Sequence, residues 1–297
     1  MERNGNNRDS SFLGKTNQTE MTSTLLKKIL PALDNKMPIV LTSGEPTLAK
    51  ELPKLVKILK ENNFKDIALQ TNGRRLTHID YCIELIKAGV TSFSISIHGS
   101  RDKIHDVLTR TPGSFAQSFS GIENLIKIKR LIPSLKIFTT TTVNKINISD
   151  IQNILKMFIA DRPLINTVVL NPVSLRGNAL IHSRHLAISY TDIFKCVEKA
   201  LNSLGLTKTE RITITDMPKC VNDFYSGPSE DISLIDIELK HKHLKVKAGE
   251  NSAFRKECQT CIYYHQCPGV SEEYIRIFGW NEFIPVINQN NRDKNQI

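Results

Sequence analysis

The sequence predicts an α/β fold: a partial (β/α) barrel followed by a small cysteine-rich α+β extension. Three observations predict it. Short β-rich runs alternate with stretches of helical spacing between residues 37 and 171, turn-forming residues follow the carboxyl end of each run, and most of the cysteines fall in the last third of the chain. Strands joined by amphipathic helices are the pattern of a parallel sheet, because a parallel pair needs a long crossover.

The strands are expected at Pro38 to Thr42, Asp66 to Gln70, Ser92 to His98, Leu135 to Val143 and Asn166 to Leu170. Each is rich in β-branched residues or alternates apolar with polar positions. Between them, apolar residues recur every three or four positions: Leu48, Leu52, Leu55, Val56 and Leu59, then Ile79, Ile83 and Ile86. Phe119, Ile122 and Ile126 repeat the spacing, as do Ile151, Ile154, Leu155 and Phe158. Ser149 and Asp150 offer an N-cap before Ile151, and Gly89 stands where a left-handed C-cap would fall. A helix from Thr191 to Ser203 closes the repeat.

Beyond Arg211 the texture changes. Ile212 to Asp216 alternates apolar and polar residues, a hairpin is expected from Ile232 to Lys247, and the cysteine-rich segment follows. The expected organisation is a polar segment over 1–20, the barrel over 21–210, the extension over 211–287 and a polar tail over 288–297.

With 297 residues, 40% of them hydrophobic, the chain can bury a full core. Residues 1–20 contain no signal-peptide core, and no apolar run approaches the roughly 18 residues that span a bilayer. A cytoplasmic protein without a membrane partner is expected. Lys and Arg number 40 against 30 Asp and Glu, a net charge of +10. The cations are spread along amphipathic stretches without interleaved aromatics, which reads as solvated faces rather than a nucleic-acid surface.

Cys82 and Cys196 lie in helical patterns and read as small core hydrophobes. Cys220, Cys258, Cys261 and Cys267 read as metal ligands, since C-x2-C spacing suits a tetrahedral ion or a cluster in a reducing compartment. Spacing alone leaves zinc and iron-sulfur open, with His241, His243 and His265 nearby.

The informative loops all fall after strands, where a (β/α) barrel carries its reactive groups. Gly44-Glu45-Pro46 follows the first, Thr71-Asn72-Gly73-Arg74 the second, His98-Gly99-Ser100 the third, Asn144 the fourth and Asn171-Pro172 the fifth. Leu41 to Leu48 resembles the T-x-G-E-P-T-L signature of radical S-adenosylmethionine (SAM) enzymes. Leu69 to Gly73, Ser94 to Gly99 and His105 to Arg110 resemble that family in the same order.

The resemblance implies a radical SAM partial barrel lacking its first strand, with SAM as cofactor. It implies that the loop Ser43, Gly44, Glu45, Pro46 binds the SAM amino group through exposed carbonyls. Ser96 would bond the ribose, Arg110 the carboxylate, and Thr142 and Asn144 the adenosine. The family holds its catalytic 4Fe-4S cluster on a C-x3-C-x2-C motif before this loop, yet no cysteine precedes Cys82. The four late cysteines resemble the Twitch or SPASM extension, which holds an auxiliary 4Fe-4S cluster. No substrate acid or base is identified; His98 and His105 read as structural.

The resemblance implies a 5′-deoxyadenosyl radical that modifies a peptide or small metabolite, served by an external electron donor. The chain as written is not expected to cleave SAM. Two other readings stand beside it: an N-terminally truncated or degenerate member of the family, and a zinc-stabilised binding protein.

Overall fold

The computed structural model describes residues 21–206, 211–222, 252–267 and 269–287. Six strands form one parallel sheet in sequential order: β1 (Ile39–Leu41), β2 (Ile67–Thr71), β3 (Ser92–Ser96), β4 (Lys136–Val143), β5 (Thr167–Pro172) and β6 (Ile212–Ile214). Sequential order with helical crossovers is the progression of a (β/α) barrel, and the fold class expected from the sequence is the one found.

Each crossover is helical. After α1 (Ser23–Ile29) come α2 (Leu52–Glu61), α3 (Ile79–Ala88), α4 (Asp102–Thr109) and α5 (Ser114–Leu131). Then follow α6 (Ile151–Leu155) with a π turn over Lys156–Ala160, α7 (Gly177–Ile181), α8 (Ser183–Leu186) and α9 (Tyr190–Ser203). No helix of the described residues is long and apolar enough to cross a membrane.

Alternation along the strands decides which face is covered. Leu69, Phe93, Ile95, Ile137, Val168 and Leu170 are fully buried under the helices. Their neighbours Gln70, Ser94, Ser96, Thr142 and Asn171 are half-buried and form the other face. Helix α5 comes close to the connection after β2 because it carries Gly121: a Cβ there would stand 2.5 Å from the Gly73 carbonyl oxygen. Asp106 joins α4 to α5, accepting from the amides of Gly113 and Phe115 and the Ser114 hydroxyl. Gly89 caps α3 with a positive φ of 136°, but with ψ 5° it lies outside the left-handed helical region expected there.

Two expectations change. Asp150 stands at the start of α6 but makes no side-chain cap; its carboxylate accepts from the Ser100 amide and hydroxyl and from Asn153 Nδ2. Ile212 to Ile214, expected in the extension, is instead the sixth strand of the sheet, so the sheet continues past residue 210. Ile212 and Ile214 turn into the core, and Arg211 anchors the strand by donating to the carbonyls of Phe158, Ile159, Arg162 and Ile165.

The C-terminal part contains α10 (Lys219–Asn222), β7 (Ser252–Ala253) paired antiparallel with β8 (Val270–Ser271), and α11 (Glu272–Phe278). It is tied to the start of α9. The Tyr190 amide donates to the Tyr274 hydroxyl at 2.7 Å, that hydroxyl donates to Glu282, and the Thr191 amide donates to Glu282 Oε1 at 2.9 Å. These are amide donors that a helix N-terminus leaves without intrahelical partners, and a carboxylate there also complements the helix dipole. The Tyr190 and Tyr274 rings stack with centroids 4.1 Å apart, and burial pushes the Tyr190 phenol up to about 12. The hairpin expected over 232–247, the polar segment 1–20 and the tail 288–297 lie outside the described residues.

Candidate cofactor and metal sites

At the carboxyl end of β1 the backbone passes through Ser43 and Gly44 at φ 79° and 56°. Two successive left-handed residues are uncommon outside glycine, and both here are exposed. Their carbonyls accept no hydrogen bond among the described residues, which leaves two unpartnered acceptors at a strand end. Glu45 fixes this bend. Its Oε1 accepts from the Thr47 amide at 3.1 Å and from the hydroxyls of Thr47 and Thr71 at 2.6 Å each, and its Oε2 accepts from the Asn72 amide at 2.8 Å. The carboxylate is therefore a brace between the ends of β1 and β2. Arg75 Nη1 donates to the Thr47 carbonyl at 2.5 Å while its guanidinium lies over the Tyr81 ring.

Across the uncovered face, hydroxyls and amides continue the edge. Thr42 donates to Gln70 Oε1 at 3.0 Å, Ser94 pairs with Thr140 at 2.7 Å, and Thr215 donates to Asn171 Oδ1 at 2.5 Å. Ser96 is half-buried, in register with Thr140, and its hydroxyl has no partner among the described residues. The Thr142 side chain is likewise uncommitted, while its amide donates to His98 Nδ1 at 3.2 Å.

Asn144 is buried and spent on its own turn: Nδ2 donates to the Thr142 carbonyl and Oδ1 accepts from the Ile146 amide. Arg110 is the outlier. It is the left-handed C-cap of α4, exposed, and separated from the end of β3 by that eight-residue helix, which spans about 12 Å.

His98 and His105 stack with ring centroids 5.7 Å apart, and the His98 amide donates to His105 Nδ1 at 3.0 Å. Burial, aided by the charge of His105, holds His98 down to about 4. Both rings are structural in this arrangement, as expected.

Sequence reasoning passed over Asn147. It is fully buried, donates to the carbonyls of His98 and Thr142, and accepts the Asn144 amide at 2.8 Å. The N-x-x-N spacing of Asn144 and Asn147 just past a strand is the signal that could have found it.

The model of the Radical SAM superfamily matches residues 14–158. Residues 14–158 belong to the radical SAM superfamily. The chain is 28% identical over 214 residues to a probable GTP 3′,8-cyclase of Sulfolobus acidocaldarius, covering 71% of this chain and 54% of that one. It is 25% identical over 212 residues to a 7,8-dihydro-6-hydroxymethylpterin dimethyltransferase of Methanocaldococcus jannaschii, covering 69% of this chain and 38% of that one. It thus spans between about a third and somewhat over half of the length of these relatives. Among solved structures, coproporphyrinogen III oxidase (HemN) of Escherichia coli, described as a radical SAM enzyme, aligns with a TM-score of 0.44 at 16% identity, over 61% of this chain and 46% of that one.

The thiols of the chain fall into two groups. Cys82 is fully buried, donates to the Leu76 carbonyl, and is pushed up to about 12 by burial. Cys196 donates to the Ile148 carbonyl. Both are structural, as expected, and neither fits a catalytic cluster beside Ser43 and Gly44.

Cys220, Cys258, Cys261 and Cys267 line one small cavity, walled by Phe254, Tyr264 and Phe283. Burial pushes Cys220 up to about 12, and the neighbouring thiolates add to the shift. The four are close enough to sense one another, although among the described residues no three candidate ligands converge on a single ion.

Proposed function

We propose that this radical SAM family protein binds SAM along the carboxyl edge of β1 to β4 and serves the modification of a small metabolite. The observation that carries the reading is the pair of unpartnered carbonyls at exposed Ser43 and Gly44, held by the Glu45 brace beside a hydroxyl-lined sheet face. Carbonyls at that point accept from an ammonium, and the hydroxyls of Ser96 and Thr142 stand ready for the ribose and adenine edge. Arg110 reaches a carboxylate only from beyond α4, and Asn144 contributes by shaping the turn. Small metabolites are favoured over peptides because the names of both relatives carry one, a hydroxymethylpterin and GTP. SAM binding is the activity proposed for these residues.

In the same reading Cys220, Cys258, Cys261 and Cys267 hold an auxiliary 4Fe-4S cluster in a Twitch-like extension, reduced by an external donor in the cytoplasm. Such a cluster supplies one-electron transfer when bound. The protein's part is to present four thiolates within aromatic walls that exclude water. Zinc on the same thiols is the competing occupant.

Calorimetric titration with SAM tests the first half. Wild-type protein is expected to bind saturably, and Gly44→Val, which forces a β-branched residue into φ 56°, is expected to bind at least tenfold more weakly. No binding by folded wild-type protein ends the reading. Anaerobic purification with iron, sulfide and zinc analysis, repeated on Cys258→Ser, separates cluster from zinc.

A further inference from the structure

The turn through Ser43 and Gly44 is held from two sides, and the second hold lies outside the Glu45 brace. Thr47, in the helical turn Pro46–Leu48, is fully buried, and each of its polar groups is committed. Its amide and hydroxyl donate to Glu45 Oε1. Its carbonyl accepts from Arg75 Nη1 at 2.5 Å and from the Tyr81 hydroxyl at 3.4 Å. The Arg75 guanidinium lies over the Tyr81 ring, 4.8 Å from its centroid, so ring and carbonyl together fix where this side chain ends.

Arg75 is itself placed by α5. It belongs to the helical turn Arg74–Thr77 between β2 and α3, and side chains of α5 grip that turn and the residue before Gly73. Ser118 Oγ donates to the Asn72 carbonyl, Arg74 Nε donates to Gln117 Oε1, and Asn124 Nδ2 donates to the carbonyls of Leu76 and Thr77. An unbroken series of contacts therefore runs from α5 through Arg75 to Thr47, three residues beyond Gly44. Positive φ at Ser43 is unfavourable for a residue with a side chain, and such a conformation persists only where its surroundings over-determine it. Glu45 ties the turn to the end of β2, and Arg75 ties its far side to the helix layer.

We infer that Arg75 is a positioning residue: acting through the Thr47 carbonyl, it holds the Ser43 and Gly44 acceptors in place for an ammonium group and so sets a preference for ligands that carry one, a role that rests on the reading of this loop as the SAM-binding turn. Arginine suits the task because its planar fork can bond a carbonyl while lying flat on a ring; lysine can keep the bond but not the stacking. Acceptors held in advance bind more tightly because the turn need not be ordered when the ligand arrives. Arg75 touches no ligand itself, and its effect falls on the amino-acid end of SAM rather than on the adenosine.

Methylthioadenosine, which keeps the adenosine and sulfur of SAM without the amino-acid group, is the discriminating probe. In calorimetric titrations of the full chain, Arg75→Met is expected to weaken SAM at least tenfold and methylthioadenosine less than twofold, and Arg75→Lys to return SAM to within threefold of wild type. Hydrogen exchange is read on the same proteins. The amides of Thr47, Leu48 and Ala49, all bonded within the turn, should exchange at least tenfold faster in Arg75→Met, with those of α5 unchanged. Equal weakening of both ligands overturns the inference, because general loss of structure acts on both. Unchanged or tighter SAM binding overturns it, as does unchanged exchange in the turn. If wild-type protein binds no SAM, the SAM reading falls by itself, and the exchange rates decide whether Arg75 holds the turn. Should Arg75→Met fail to fold, Tyr81→Leu, which takes the ring from beneath the guanidinium, carries the same expectations.

Discussion

Glu45 holds four donors on one carboxylate, and they come from two separate strand ends. Glu45→Gln swaps one acceptor oxygen for a donor that must face either the Asn72 amide or the two threonine hydroxyls. A loss of about 1 to 3 kcal/mol follows from stranding those buried groups, measurable by urea denaturation, with SAM affinity falling alongside. The Gly-Glu-Pro turn was legible because its residues adjoin. The partners Thr71 and Asn72 lie 26 and 27 residues on, beyond any local pattern. His98 supplies a pH dependence. Its folded pKa, about 4, lies below the unfolded 6.5, so as pH falls through that window the unfolded chain takes up a proton that the native ring refuses. Stability should therefore decline from about pH 6.5 down to about pH 4, by at most about 1.4 kcal/mol per unit. His98→Asn, which keeps an acceptor for the Thr142 amide, should flatten that part of a denaturation profile.

At the scale of elements, the contact of α5 with the β2 connection depends on the missing side chain at Gly121. Gly121→Ala gains helix propensity of roughly 1 kcal/mol but drives a methyl into backbone, 2.5 Å from the Gly73 oxygen and 2.9 Å from Leu76 Cβ. A net loss of about 1 to 3 kcal/mol is expected from overpacking, read as a lowered melting temperature. Strands β1 to β5 and their helices were readable because period-2 and period-3.6 patterns last long enough to be told apart. The three residues of β6 are too few for that, and only their register with β5 identifies them. Asp150 shows the same limit from another side: a residue suited to capping a helix was recruited by Ser100, 50 positions earlier.

For the whole molecule, the hydroxyl of Tyr274 links the cysteine-bearing part to the sheet-bearing part. Tyr274→Phe removes the acceptor for the Tyr190 amide and the donor to Glu282 together. Limited proteolysis should then release fragments cut between α9 and α11 faster than in wild type, with stability lower by about 1 to 3 kcal/mol for the stranded, buried Tyr190 amide. That Cys220, Cys258, Cys261 and Cys267 line one small cavity follows from no local pattern, and the aromatic docking beside it was not legible either, because its partners are spread from residue 190 to residue 283. The sequential order of the sheet carries a last consequence. Among the described residues β1 is bonded on one side only, by β2, so Ile39–Leu41 presents an open row of peptide groups toward a further strand. Its three-residue length and the preceding Pro38 limit how far any stray chain can zip onto it. The carboxyl end of that open edge runs directly into the turn through Ser43 and Gly44 that the Glu45 brace holds.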